Sequence, residues 1–213
     1  MPLITMDVRS DSSGRWVRLV RQLLGASLIA GAGSSAQAQS AGTPYRLDPD
    51  NTHVHWEVRH FGTSTSRGRF DDIQGSVTMD RAAGRGEVSI TIGTASVSTG
   101  FAPLDTILRG NNFLASADNP KAYFVARQWQ VDAKGLPELR GEFTLRGISQ
   151  PLALKATQFN CYTHPTLSKE VCGGDFEAEL SRADYGISYG VPLVSGTVKL
   201  VIQVEGVRMD GTP

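Results

Sequence analysis

One stretch near the start of the sequence, residues 45–62, constrains the fold more than any other. It opens with the turn-forming run Asp48-Pro49-Asp50-Asn51 and then alternates over THVHWEVRH, residues 52–60. Apolar side chains fall at every second position, and His53, His55, Glu57 and Arg59 fall on the opposite face. Alternation with a period of two is typical of a strand with one dry face and one wet face. The sequence therefore predicts a strand here, with its apolar face turned towards a core.

The same alternation returns along most of the chain. Residues 139–145 and 196–205 show it, with Val201 as an exception on an outer face, and polar runs such as residues 80–86 separate one apolar run from the next. The pattern predicts about eight strands joined by short turns, without the strand–helix–strand rhythm of a parallel sheet. Closure into an antiparallel barrel would remove exposed sheet edges, and a flat sandwich is the alternative.

Two segments depart from this pattern. Residues 63–69, TSTSRGR, are polar with one glycine, so we interpret them as a hairpin connection to a bent strand over residues 70–79. Residues 102–117 have approximate helical spacing of apolar side chains, interrupted by Gly110. This spacing predicts one or two helical turns near residues 103–115 that cap one end of the sheet.

The amino-terminal segment is typical of an export signal. Three arginines within residues 15–21 precede an apolar run at residues 23–30, and Ala36-Gln37-Ala38 forms an Ala-x-Ala cleavage site. The apolar run is shorter than the roughly 20 residues that cross a bilayer, although an uncleaved anchor is the alternative. We therefore expect a signal peptide at residues 1–38, a single domain at residues 39–213 and a periplasmic location.

Charge and cysteine content narrow the function further. The formal net charge is zero and no basic patch stands out, so we expect no nucleic-acid partner. Cys161 and Cys172 both follow the expected signal, and a close pair in an exported chain predicts a disulfide. The bridge would stabilise the protein by roughly 2–3 kcal/mol. A redox or metal pair is the alternative, although the spacing is not C-x-x-C.

The predicted barrel interior is the candidate binding site. An eight-stranded barrel is just wide enough to be filled by side chains or to hold one slender ligand, and ordinary packing without a cavity fits the pattern equally well. His60 either hydrogen-bonds within the core or meets the polar end of a ligand. The predicted interior residues are Val54, Trp56, Val58, His60, Phe70, Ile90, Phe113, Phe124, Phe143, Leu145, Leu154, Phe176, Leu200 and Ile202.

Short recognisable segments are spread over nearly all of residues 39–213, namely Tyr45-Arg46-Leu47-Asp48-Pro49, His60-Phe61-Gly62, Gly68-Arg69-Phe70, Gly141-x-Phe143-Thr144-Leu145-Arg146-Gly147 and Ser181-Arg182-Ala183-Asp184-Tyr185-Gly186. Together they resemble the YceI-like family of bacterial, largely periplasmic, polyisoprenoid-binding proteins. The resemblance implies an all-β, eight-stranded antiparallel lipocalin-like barrel that holds one long isoprenoid, either a polyprenyl lipid or an isoprenoid quinone. It brings no catalytic residues, no metal and no other cofactor.

Two other functions stay open beside this non-catalytic carrier. His53 and His55 share one strand face and could bind a metal with a third ligand, or work with His60 in an acid/base enzyme. The sequence contains no H-E-x-x-H motif, which argues against zinc-hydrolase chemistry. The third hypothesis is an interaction module for a membrane redox protein, with lipid as structural filler. A homodimer is also open as an assembly.

Overall fold

The strand alternation is realised in an antiparallel β-barrel. The computed structural model describes residues 42–209, so the expected signal peptide lies outside the described residues. The elements of this part of the chain are β1 Thr43–Leu47, β2 His53–His60, β3 Ser64–Phe70, β4 Ile73–Asp80, β5 Arg85–Gly93, β6 Val97–Ser98, α1 Ala102–Arg109, β7 Lys121–Val131, β8 Pro137–Leu145, β9 Ile148–Thr163, β10 Glu170–Ser181 and β11 Thr197–Arg208.

Six of these strands are the halves of three bent strands, so the barrel wall contains eight. β1 and β2 are separated by the 3-10 turn Pro49–Asn51, β3 and β4 by Asp71 and Asp72, and β5 and β6 by the 3-10 turn Thr94–Ser96. The halves stay side by side, because β1 pairs with β4 while β2 pairs with β3. The predicted eight-stranded antiparallel barrel is confirmed.

The barrel closes between its first and last strands. Tyr45 pairs with Arg208 and Leu47 pairs with Gly206, which joins β1 to β11. Every neighbouring pair in the ring is antiparallel, running from β4 and β5 through β7, β8, β9 and β10 to β11. Closure removes the exposed edges that an open sheet would present.

The interpretation of residues 63–69 as a connection is wrong, because β3 occupies Ser64–Phe70 and the turn is confined to residues 61–63. β3 lies beside β2, with Gly68 opposite Trp56. A Cβ atom on Gly68 would lie 2.4 Å from Cζ2 of Trp56. Position 68 of β3 carries no side chain because the indole of Trp56 occupies the space in front of it, which helps to explain a strand that looks like a loop in sequence.

The helical prediction is confirmed, although α1 is shorter than the predicted segment and ends at Arg109, directly before Gly110. The buried carboxylate of Asp105 accepts hydrogen bonds from the backbone N–H and hydroxyl of Thr99, at 2.7 and 2.6 Å. These bonds fasten the first turn of α1 to the chain beyond β6. No helix in the described part of the chain is long and apolar enough to cross a membrane.

The predicted disulfide is confirmed, with Cys161 and Cys172 bonded at 2.04 Å. Cys161 lies on β9 directly opposite Cys172 on β10, and the connecting turn is limited to residues 164–169. The bridge therefore joins two hydrogen-bonded strands near the end of a hairpin.

The two ends of the barrel are built differently. The helix end carries α1, the turns at residues 61–63 and 146–147, and the long segment at residues 182–196. The hairpin end carries the turns at residues 81–84, 132–136 and 164–169. These two names are used below for the opposite ends of the interior.

Candidate functional site

The alternating side chains of the strands meet inside the barrel and form its apolar interior. Trp56 on β2 lies opposite Leu200 on β11, and Val54 lies opposite Ile202. On two other neighbouring strands, Phe124 on β7 pairs with Phe143 on β8. Burial of such side chains is the main favourable contribution to folding and also creates the surface that an apolar ligand would contact.

Thirteen of the fourteen predicted interior residues belong to this core. Five of them, half-buried, pack against it: Val58, Phe70, Ile90, Phe113 and Ile202. Eight are buried: Val54, Trp56, Phe124, Phe143, Leu145, Leu154, Phe176 and Leu200. Their interior location is observed, and their role in binding a ligand stays a prediction.

His60 is the exception, and its predicted inward position is wrong. It is exposed and is the last residue of β2, at the rim of the barrel. Its ring lies against the exposed ring of Phe61, with a centroid separation of 4.6 Å, and its backbone bridges to Val194. The alternation of β2 continues to His60, but the core ends about one residue pair earlier, at Val58.

A cavity of about 70 Å³ lies in the half of the interior near the hairpin end. Five predicted residues line it, namely Val54, Ile90, Leu154, Phe176 and Ile202. The other lining residues lie outside the predicted set and include Tyr45, Leu47, Ile73, Met79, Val88, Trp129, Leu139, Phe159, Cys172 and Val204. Apolar side chains predominate in this lining.

Two β-bulges explain why the sequence does not predict Trp129 and Phe159 as interior residues. On β7 the pairing steps from Ala126 to residue 128, which leaves Arg127 without a partner across the ladder. On β9 the pairing steps from Ala156 to residue 158, which leaves Thr157 unpaired. An inserted residue reverses the faces of everything after it, because side chains alternate with a period of two. Trp129 and Phe159 therefore turn inwards, three positions beyond the last inward alanine of each strand.

A polar cluster lies beside the cavity at the hairpin end, where Tyr45 is part of the cavity wall. The hydroxyl of the buried Tyr45 donates to Oε1 of Glu170 at 2.5 Å, and Nη2 of Arg81 donates to Oε2 of Glu170 at 2.8 Å. Burial, together with the hydrogen bond to Glu170, raises the pKa of Tyr45 to about 12. The hydrogen bond from Tyr45, aided by Arg81, lowers the pKa of Glu170.

This cluster gives a stability profile in alkaline solution that can be measured. Between pH 10 and pH 12 the unfolded chain releases the Tyr45 proton while the folded chain keeps it. The contribution of Tyr45 to the free energy of unfolding is therefore complete below pH 10 and is lost as the pH rises towards 12. In urea unfolding followed by circular dichroism, Tyr45→Phe should be less stable than the wild type at neutral pH. The difference between the two free energies of unfolding should shrink as the pH rises from 10 to 12.

Tyr189→Phe is the matched control, since the Tyr189 side chain is 60% exposed. Its unfolding free energy should follow the wild-type curve across the same pH range. If Tyr45→Phe kept a constant difference from the wild type, the buried phenol would not be the titrating group.

The helix end is held by a buried arginine, Arg182. Arg182 is 5% exposed, and no carboxylate is within ion-pair distance of it among the described residues. Its guanidinium donates to four backbone carbonyls, those of Ile187, Tyr189, Val194 and Ser195, at 2.8 to 3.3 Å. Removal from water lowers the pKa of Arg182. These bonds fold residues 182–196 over the end of the barrel.

His53 and His55 lie away from the interior, on the outer face of β2. Their ring centroids are 6.1 Å apart, and burial, followed by the charge of His53, lowers the pKa of His55. Within residues 42–209 no group of three or more His, Cys, Asp or Glu side chains is placed to hold a metal ion. The two histidines therefore have no third ligand of these types beside them in this part of the chain.

Comparison with known proteins bears on the barrel as a whole. Residues 45–206 match the family model of the YceI-like domain. The chain is 32% identical to Protein YceI of Escherichia coli O17:K52:H18 over 194 residues, which cover 88% of this chain and 98% of that protein. It is 30% identical to a UPF0312 protein of Pseudomonas aeruginosa (strain LESB58), covering 86% and 96%.

The fold is also similar to that of a polyisoprenoid binding domain from Saccharophagus degradans implicated in plant cell wall breakdown. The TM-score is 0.58 at 16% sequence identity, and the alignment covers 78% of this chain and 98% of that one. At this level of identity the likeness concerns the arrangement of strands.

Proposed function

Since the chain belongs to the YceI-like family, we propose that it is a non-catalytic carrier that holds an isoprenoid lipid inside its barrel. The observation that carries the proposal is the closed barrel with a cavity lined mainly by apolar side chains. The structurally similar Saccharophagus degradans domain, described as polyisoprenoid binding, supports the choice of ligand class.

The chemistry of the interior suits such a ligand. An isoprenoid tail contains only carbon and hydrogen, so it requires apolar area and shape rather than directed hydrogen bonds. Burying about 300 Å² of tail would contribute roughly 7 kcal/mol before the cost of association, at about 25 cal/mol per Å². The polar side chains at the cavity wall are already engaged, since Tyr45 donates to Glu170.

The volume of the cavity sets a condition on binding. Typical ligand pockets have volumes of about 300 Å³ or more, whereas this cavity measures about 70 Å³. A tail of several isoprene units therefore requires interior side chains to move apart. Met79 is suited to such movement, because methionine is unbranched and has three rotatable side-chain bonds.

The same reasoning supports a carrier over the enzyme hypothesis. The histidines of the proposed acid/base site do not converge on the cavity, since His60 is exposed and His53 and His55 lie on the outer face. The predicted export signal at residues 1–38 and the disulfide support a periplasmic location, because disulfides persist in oxidising compartments. A homodimer and a membrane redox partner stay predictions.

Organic-solvent extraction of purified protein, followed by mass spectrometry, tests the proposal directly. We expect an isoprenoid, either a polyprenyl lipid or an isoprenoid quinone, at a substantial fraction of one mole per mole of protein. A metal assay and a screen with ester and phosphate substrates belong on the same sample. An extract with no isoprenoid, together with turnover of a substrate, would replace the carrier with the enzyme.

Tryptophan fluorescence locates the ligand within the barrel. Trp129 lines the cavity, whereas Trp56 belongs to the core but does not line it. Titration with a quinone that carries two isoprene units should therefore quench chiefly Trp129. The response should be largely lost in Trp129→Phe and kept in Trp56→Phe. The reverse result would place the ligand in the helix half of the interior.

A further inference from the structure

The cavity and a groove on the outside of the barrel share a wall of side chains at the hairpin end. The groove has a volume of about 160 Å³ and lies between the turn that follows β4 and the turn that follows β7. Met79, Trp129 and Phe159 line both the groove and the cavity. These three residues, two aromatic rings and one methionine, therefore lie between the interior and the solvent. They are called the aromatic wall below.

The aromatic wall depends on the two bulges. Trp129 and Phe159 lie on strands that flank β8 on either side, and each turns inwards directly after a bulge. Their rings meet edge to face across β8, with a centroid separation of 5.9 Å and an interplanar angle of 84°. Bulges occur where a side chain must be re-aimed, often beside functional sites. Here they re-aim two rings towards each other.

The two ends of the barrel differ in what covers the interior. At the helix end the covering segments are fixed by hydrogen bonds to their backbone, because Arg182 donates to four carbonyls of the overlying segment and Arg146 donates to the carbonyls of Asn111 and Phe113. At the hairpin end, beside the cavity, the cover includes the side chains of the aromatic wall. Rotation of side chains is faster and less costly than rupture of several buried hydrogen bonds.

We propose that the aromatic wall is the gate through which an isoprenoid tail enters the cavity, an inference that rests on the proposed carrier function. The tail passes between Trp129, Phe159 and Met79, while the polar head group stays in the outer groove, where Arg81 and Arg85 contribute to the lining. A polar head group is costly to bury without hydrogen-bond partners, so it remains at the solvent side of the gate. Glu170 and Asp80 pair with these arginines.

Stopped-flow binding of the two-isoprene quinone, read through tryptophan quenching, tests the gate. Phe159→Ala removes one ring of the aromatic wall and should raise both the association and dissociation rates by about tenfold, the upper range for loss of one aromatic contact. The dissociation constant should change much less than either rate. Phe159→Leu keeps most of the volume and should show a smaller change in the same direction, even if Phe159→Ala folds poorly.

Tyr189→Ala is the matched control at the helix end. Tyr189 also forms an edge-to-face pair, with Phe113 at 5.6 Å and 69°, but its side chain is 60% exposed and is not among the predicted interior residues. Its replacement should leave both rates unchanged. Acceleration by Tyr189→Ala alone, or by neither variant, would overturn the gate while the carrier function stood. A wild-type protein that binds no isoprenoid quinone would overturn both.

Discussion

Replacing Phe143 with aspartate is expected to prevent the barrel from folding. The Phe143 side chain is 7% exposed, pairs with Phe124 across the sheet and meets the ring of Tyr185 edge to face at 5.6 Å. Loss of a buried aromatic side chain alone costs about 3–5 kcal/mol. An unpaired carboxylate in the same place adds several kcal/mol, and the total approaches the roughly 5–15 kcal/mol by which domains are stable.

Soluble yield and urea unfolding measured by circular dichroism would show this loss. Tyr123→Asp introduces the same group on the outer face of the neighbouring strand, where Tyr123 is 42% exposed and pairs with Thr144. That substitution should change the free energy of unfolding by no more than about 1 kcal/mol. A folded Phe143→Asp protein with a normal urea midpoint would show that the faces of β8 are assigned wrongly.

Replacing Arg182 with methionine should produce the second large loss of stability, of about 3–5 kcal/mol. Methionine approximates the length and apolar stem of arginine but donates no hydrogen bond. Four carbonyls of residues 182–196 then lose their hydrogen-bond donor. Water can replace that donor only if the segment moves away from the helix end of the barrel. Lysine should restore little of this, because one ammonium cannot reproduce the fork of a guanidinium.

Hydrogen exchange separates this effect from a general loss of stability. Amides within residues 187–196 should exchange much faster in Arg182→Met, under conditions where the strands near the disulfide remain protected. Arg67→Met is the control, since the Arg67 side chain is 65% exposed and pairs with Glu57 at 2.7 Å on the surface. Its cost should stay below about 1 kcal/mol. Equal costs for the two variants would mean that Arg182 does not anchor the segment.

The interior rows could be predicted from the sequence wherever a strand is regular. In β2, β8 and β11 the apolar residues recur at every second position, and side chains such as Trp56, Phe143 and Leu200 lie inside as expected. The period of two is a direct consequence of strand geometry, so it remains valid as long as no residue is inserted. The prediction for His60 is wrong because the core ends before that residue, and not because the two faces of β2 are assigned wrongly.

The rest could not be predicted, because it depends on contacts between distant segments. A polar run such as β3 becomes a strand because Gly68 makes room for Trp56, and nothing within residues 63–69 indicates that neighbour. Arg127 and Thr157 look like ordinary strand residues, yet each is the extra residue of a bulge. The inward rings of Trp129 and Phe159 follow from those two insertions, so this part of the cavity wall cannot be predicted from the alternation alone.

The pairing of β1 with β11 has a consequence for how the chain folds. These strands lie near opposite ends of the described sequence, so the barrel cannot close until almost the whole chain is available. Contacts between such distant residues form slowly, since a large loop must be ordered first. Until then β1 and β10 each present an unpaired edge that can recruit another chain. A fragment that ends before residue 197 should therefore associate with copies of itself, whatever the quality of its remaining core.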